Sequence, residues 1–308
     1  MILITALPPS KAPGAVPTGP VGRCLANRFL SSGKRVRVLA PESEATGWPE
    51  GVEILTATIT NPAATPNAFQ GVEQVFLAGL VSMVPETLRE FTNLAIKGEV
   101  KRIAILSSHG SDFESEYSPA TWQWLAFERA IEKHGAELTY IRPTGVFANA
   151  LVGGYPITGS SWARYIKAGE TIQEFYPRIS YPFIDEEDLV GVIAEVLLNC
   201  GYHGKVLDIS GTMISAAERL RLISEALGKN VQLEELISDD LARTFWKSQG
   251  WPDITIEVTL WAAKEFTAHM ETNKQHLRKQ EEITEHLVGR SPRTFSDWVT
   301  EHIEDFSA

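Results

Sequence analysis

Through the first half of the chain, short apolar runs rich in β-branched residues alternate with stretches of helical period. Ile2 to Thr5, Arg35 to Ala40, Val52 to Ala57, Gln74 to Ala78, Arg102 to Ser107 and Glu137 to Ile141 read as strands. Gly22 to Ser31, Pro85 to Lys97 and Thr121 to Lys133 read as the helices between them. Strand and helix in strict alternation predict an α/β fold with a doubly wound parallel sheet. Right-handed crossovers would then bring every strand's C-terminal end to one edge, where ligands of such sheets bind. That edge would carry Gly79, Ser107, Ser108 and Pro143.

The second half loses the alternation. Tyr181 to Asp185 reads as a short strand, Glu186 to Asn199 as a long helix, Lys205 to Ser210 as a strand, and Ser215 to Leu227 as a helix stopped by Gly228. Ile256 to Leu287 is expected to be helical, with the polar stretch Thr272 to Glu285 as a solvated face. The pattern predicts a first domain over 1–150 and a smaller, mostly helical lobe over 151–308, with chain segments able to cross between the two.

Composition narrows the partners. At 308 residues, 44% hydrophobic and 22% charged, the chain is an ordinary globular one, with neither a disordered nor a fibrous signature. A net charge of -11 leaves no basic stripe to displace counterions, so no nucleic-acid partner is expected. Cys24 and Cys200 stand far apart without metal-ligand spacing, and no metal site is expected. The apolar run 190–198 is short and interrupted by Glu195, and the N-terminal run has no basic flank. No membrane partner and a cytoplasmic setting are expected. Oligomeric state has no signature in the sequence.

The first strand should lead directly into a phosphate-binding turn, because glycines let backbone close on a pyrophosphate and the next helix offers free N–H groups. Here it meets the proline-rich insertion Leu7 to Pro17 before reaching Thr18-Gly19-Pro20-Val21-Gly22-Arg23. Gly19 and Gly22 stand in the second and third glycine positions of a dinucleotide fingerprint. Pro20 has no N–H to offer a phosphate, although the first turn of a helix tolerates it. The competing reading is a remodelled surface loop that holds no nucleotide. After the second strand, Glu42 would suit a ribose diol and favour NADH, while Arg23 or Lys11 would suit the 2′-phosphate of NADPH.

Several later segments resemble NmrA-like atypical short-chain dehydrogenase/reductases. They are Val100 to Ile103 with Leu106 to Gly110, Phe127 to Gly135 running into Thr139 to Asn149, Phe183 to Asp188, and Leu287 to Trp298. The resemblance spans nearly the whole chain, and the order and spacing of the pieces carry it. It implies a Rossmann domain binding NADPH or NADH through Thr18, Gly19, Val21, Gly22, Arg23, Glu42, Gly79, Ser107 and Pro143. It also implies a smaller α/β lobe closing a substrate cleft over the nicotinamide. Relatives include quinone and azo reductases and sensors that bind the nucleotide without turnover.

The wider superfamily protonates substrate with a tyrosine whose pKa is lowered by a lysine four residues on. No Tyr-x-x-x-Lys occurs here. A hydride acceptor that can take its proton from water, such as a quinone, makes a weaker demand: a flat pocket and a well-aimed nicotinamide. Trp124, Phe147, Tyr155 and Trp162 are the candidate pocket rings, with ordinary core packing as the competing reading. Ser108, His109 and Tyr117 are the candidate acid/base or orienting groups; Ser108 matches the family's paired serines, and His109 titrates in a useful range. The expected function is NAD(P)H-dependent reduction of a small aromatic or quinonoid substrate. The alternatives are a non-redox biosynthetic enzyme with a degenerate cofactor loop, and a nucleotide-sensing regulatory protein.

Overall fold

The structure is a computed structural model that describes residues 1–6, 18–57, 59, 61–78, 85–109, 125, 128–131, 136–153 and 156–307. The predicted alternation appears as a seven-stranded sheet of order β10-β6-β5-β4-β1-β2-β3. Its strands are β1 (Ile2–Thr5), β2 (Val36–Ala40), β3 (Glu53–Thr56), β4 (Gln74–Leu77), β5 (Arg102–Leu106), β6 (Glu137–Pro143) and β10 (Val206–Ile209). From β6 to β3 every neighbouring pair is parallel. This is the doubly wound Rossmann arrangement, with the chain reversing direction across the sheet on either side of β1. Strands β1 and β2 are buried throughout, as strands covered on both faces should be, and the one charge in them, Arg37, is bonded to Glu53 and to Ala68 O and Gln70 O.

Helix α1 (Thr18–Ser31) begins earlier than the periodicity predicts, at Thr18 rather than Gly22. Pro20 lies in its first turn, where a missing N–H removes no intrahelical bond. Val21, Leu25, Ala26 and Phe29 form its buried stripe. Helix α2 (Pro85–Lys97) follows β4 as expected. Of the predicted helix 121–133, the described residues 125 and 128–131 are helical.

The chain divides into two compact units. The first takes β1, residues 18–143 and the returning segment 189–208; the second takes 144–188 and 209–307. The first break falls at 143/144 rather than 150/151, because β7 (Gly145–Val146) leaves the large sheet to pair with β9 (Ser180–Ile184). Gly145 permits that pairing: a Cβ there would lie 2.8 Å from the Phe183 ring.

In the second unit β9 also pairs with β11 (Thr212–Ser215), and β8 (Ile172–Glu174) with β12 (Leu233–Glu235). Ser215 caps the helix Ala216–Leu227 by accepting from Glu218 N, and Gly228, at φ +63°, closes it as its C-cap. The expected single helical tail is two helices, Asp253–Ala268 and Met270–Val288, broken at His269. The helix Asp239–Ser248 was not anticipated. Asp185 precedes the helix Glu186–Leu198, accepts from Glu187 N, and also receives Arg293 Nε at 2.8 Å. The Gly289-to-Thr294 turn is thereby tied to the start of that helix.

Candidate functional site

The end of β1 is fixed by Thr5. Its Oγ1 accepts from Ala78 N at 2.8 Å and donates towards Phe76 O and Ala78 O, locking the C-terminal ends of β1 and β4 together. Beside this point α1 opens. By helix geometry the N–H groups of its first turn have no intrahelical partner, and no acidic side chain occupies that turn. At Gly19 and Gly22 the missing Cβ lets neighbouring side chains pack close against the helix. A Cβ on Gly19 would stand 2.7 Å from Arg23 Nη1 and 2.9 Å from Glu44 Oε2; one on Gly22 would stand 3.0 Å from the Trp48 ring and 3.4 Å from Ile4.

The segment after β2 folds over the same turn. Glu42–Glu44 is one turn of 3₁₀ helix, which exposes Glu42 and directs Glu44 inward. Glu44 Oε2 pairs with Arg23 Nη2 at 3.3 Å. Arg23 also donates to Thr46 O at 2.9 Å and lies 5.1 Å from the Trp48 ring centroid, while Trp48 Nε1 donates to Glu44 O. The acidic group facing α1 is therefore Glu44, and the predicted Glu42 is its exposed neighbour. Sequence reading missed Glu44 and Trp48; the signal available was the two-residue offset that a 3₁₀ turn introduces into Pro41-Glu42-Ser43-Glu44.

Ser107 ends β5 fully buried, and its Oγ donates to Glu128 Oε1 at 2.5 Å. Glu128 in turn receives Arg142 through both carboxylate oxygens, Nε to Oε1 at 2.9 Å and Nη2 to Oε2. The Tyr140 hydroxyl donates to Glu128 O. The hydroxyl of Ser107, a residue expected to contact the cofactor, is bonded to this internal ion pair. Ser108 and His109 follow at half-buried positions on the sheet's C-terminal edge, and His109 N donates to Pro143 O at 3.1 Å. Thr18, Gly19, Val21, Gly22 and Arg23 thus lie in the first turns of α1 with Glu44 against them, while Ser107, Ser108, His109 and Pro143 lie at the ends of β5 and β6. Gly79, Tyr117, Trp124, Tyr155, Lys11 and the insertion Leu7 to Pro17 lie outside the described residues.

In the second unit Phe147 is a core ring, and the expectation that it lines a substrate pocket is corrected. It has no exposed surface and packs against Phe183, Phe295 and Trp298, with centroids 6.1, 5.0 and 6.1 Å away. Neighbours on several sides leave no open face for a ligand. Trp162 is also buried, but it borders a cavity of about 370 Å³ in this unit, and its Nε1 donates to Glu174 Oε1 at 2.7 Å.

The donor set at α1 fits a dinucleotide: a helix N-terminus with no acidic side chain in its first turn, glycines at positions 19 and 22, and the Glu44–Arg23 pair for the adenosine ribose. Comparison with known proteins agrees. Residues 17–154 match the NAD(P)H-binding family. Those residues form an NAD(P)H-binding domain. A reductase of Streptomyces griseus, named for (4-alkanoyl-5-oxo-2,5-dihydrofuran-3-yl)methyl phosphate, is 28% identical over 94% of this chain and 97% of its own. Among solved structures, an NADPH-dependent quinone oxidoreductase of Escherichia coli complexed with NADPH superposes with a TM-score of 0.69 at 19% identity, over 98% of this chain and 99% of that one. The triphenylmethane reductase of Citrobacter sp., complexed with NADP(H), gives 0.68 at 17% identity over 97% and 99%. These two show the fold. The resemblance to NmrA-like atypical short-chain dehydrogenase/reductases is borne out in domain and architecture, and no helix among the described residues is long and apolar enough to cross a membrane.

Proposed function

We propose that the protein is an NAD(P)H-dependent reductase of a small, conjugated, carbonyl-activated ring, quinonoid or aromatic in character. The observation that carries the reading is the glycine-containing, acid-free opening turn of α1, inside the segment that matches the NAD(P)H-binding family. The relative that runs along nearly the whole chain is a reductase whose named substrate is an oxo-dihydrofuran bearing an alkanoyl group. That ring and a quinone share one property: electrons added to carbon are taken up by a carbonyl already in conjugation. Such an acceptor can be protonated from water, which suits a chain without a Tyr-x-x-x-Lys pair.

In this reading α1 holds the pyrophosphate through its first-turn N–H groups, with Gly19 and Gly22 allowing close approach. Arg23 and Glu44 set the ribose end. Ser108 and His109, on the same sheet edge, orient the nicotinamide amide or a substrate oxygen. The bound nucleotide supplies a hydride. Protein residues supply position and a water-poor surface, and the substrate's own carbonyl takes the charge.

Titration with NADH and NADPH, followed by fluorescence, and then a panel of quinones and unsaturated lactones, tests the reading. The expected outcome is binding of at least one nucleotide and its oxidation by members of the panel. Binding with no oxidation by any acceptor would replace the redox reading with a nucleotide sensor. If neither nucleotide binds, both readings fall.

A further inference from the structure

The cavity of the second unit has no part in the reading above. Its walls are aromatic: Trp162 and Tyr165 from the helix Trp162–Ala168, Phe245 and Trp246 from the helix Asp239–Ser248, and Trp251 just beyond. Among the described residues two carboxyls line it, the exposed Glu170 at its edge and, buried among the rings, Glu174, the last residue of β8. Its side chain belongs to a residue only 3% exposed, and among the described residues Trp162 Nε1 is its only hydrogen-bond donor. Arg219 offsets its charge without a direct bond. The guanidinium donates to Thr158 O at 2.7 Å and lies 4.4 Å from the Trp162 ring centroid and 4.1 Å from that of Phe183, while Nε and Nη2 find no acceptor among the described residues.

A buried carboxyl with a single donor is an expensive arrangement for packing alone, since Gln or Met would fill similar space without the desolvation cost. It makes sense where a ligand brings the missing donor. Aromatic walls present negative ring faces, which attract a cation and accept a flat apolar body. A volume of about 370 Å³ lies at the small end of ligand pockets. We propose that this cavity binds a small aromatic amine of one or two rings, its ring against the Trp and Tyr walls and its ammonium on Glu174. A carboxylate in the same place would meet Glu174 as a like charge, and a neutral alcohol would bring one weaker donor.

The site stands apart from the nucleotide reading, because it is tested by binding without nucleotide or turnover. Three probes of one shape, 2-naphthylmethylamine, 2-naphthylmethanol and 2-naphthoate, are titrated calorimetrically into the full chain and into Glu174→Gln. In the wild type the amine should bind about tenfold more tightly than the alcohol, with the carboxylate weakest. Glu174→Gln should erase the amine's advantage and leave the alcohol unchanged.

Burial pushes Glu174 up to about 7, opposed by Arg219 and the Trp162 bond. The amine, which stays protonated, should therefore gain roughly tenfold in affinity from pH 6 to pH 8 as the carboxyl ionises. The other charged or titratable groups around it are Arg219, Arg164, Glu170, Tyr165, Tyr176 and Tyr181; Arg219, lowered by burial to about 10, remains cationic across that range. Phe245→Ala, at a half-buried wall position, should weaken amine and alcohol alike and serves if Glu174→Gln fails to fold. Failure of all three probes to bind, equal preference in wild type and Glu174→Gln, or tightest binding of the carboxylate would overturn the proposal. A nucleotide titration on the same sample tells this failure from failure of the reductase reading.

Discussion

Each unit holds a buried glutamate near a buried arginine, Glu128 with Arg142 and Glu174 with Arg219, and the two pairs are built differently. In the first, Glu128 and Arg142 meet side-on through two bonds, Ser107 and the Tyr140 hydroxyl add to the cluster, and Asp208 stands 4.0 Å from the far arm of Arg142. In the second, Glu174 and Arg219 share a neighbourhood but no ion pair; one is held by an indole N–H and the other is stacked between rings. A buried ion pair compensates its desolvation only when geometry is good and remaining polar atoms are satisfied. The first pair meets that condition within the chain. The second leaves carboxyl and guanidinium valences open, so its completion falls to something outside the chain, and this is why the closed pair reads as scaffold and the open one as a site.

Removing one partner should separate them most sharply. Glu128→Ala leaves Arg142 in the core with only Asp208, 4.0 Å away, to offset its charge, and a loss of about 3 kcal/mol in unfolding free energy is expected by chemical denaturation. Glu174→Ala or Glu174→Gln should cost far less or stabilise, because Arg219 was never bonded to it. Equal losses at the two sites would mean that the open pair is structural after all.

The next effect is in pH. Glu174 binds its proton more tightly folded than unfolded, where it titrates near 4.5, so the folded state holds the extra proton between about 4.5 and 7. Stability therefore falls as pH rises through that window, by about 3 kcal/mol for this group, and is lowest above the folded value. Glu186 acts in the same direction, held near 7 by burial and by Asp185 beside it. Melts from pH 5 to pH 8 should show a falling Tm in the wild type and a shallower fall in Glu174→Gln, with the share of Glu186 remaining. A slope unchanged in the variant would remove Glu174 as a source.

How much of this could be read in advance differs between the units for a physical reason. The sheet of the first unit is made of local runs with a period, and Gly19 and Gly22 stand out by their identity, so the strands, the fold class and the candidate turn at α1 were legible. Glu44 was not, because its direction depends on a 3₁₀ turn that places it against α1 while its neighbour Glu42 faces solvent. In the second unit nothing local separates Phe147 from Trp162. Both are aromatic residues in apolar segments, and only packing shows that one is enclosed by Phe183, Phe295 and Trp298 while the other borders a cavity. The partnership of Glu174 with Trp162 and Arg219 likewise rests on β8 and the helix Ala216–Leu227 meeting in space, which no periodicity encodes.

A third acid–arginine pair, Arg23 and Glu44, lies between these extremes and gives the finest test. Its side chains are 30% and 16% exposed, so solvent screens it, and breaking it should change stability by less than about 1 kcal/mol. Its effect belongs to binding. While Glu44 holds Arg23, a 2′-phosphate meets a compensated guanidinium and a nearby carboxylate, whereas a ribose diol meets an acceptor. Glu44→Gln keeps the shape and removes the charge, leaving Arg23 to pair with phosphate. The ratio of NADPH to NADH affinity should rise by about tenfold, with NADH itself weakened only slightly. An unchanged ratio would mean that Glu44 only braces Arg23 and that nucleotide choice is made elsewhere. A changed ratio with an unchanged melt would put this pair beside Glu174 and Arg219, among charges kept for what they bind.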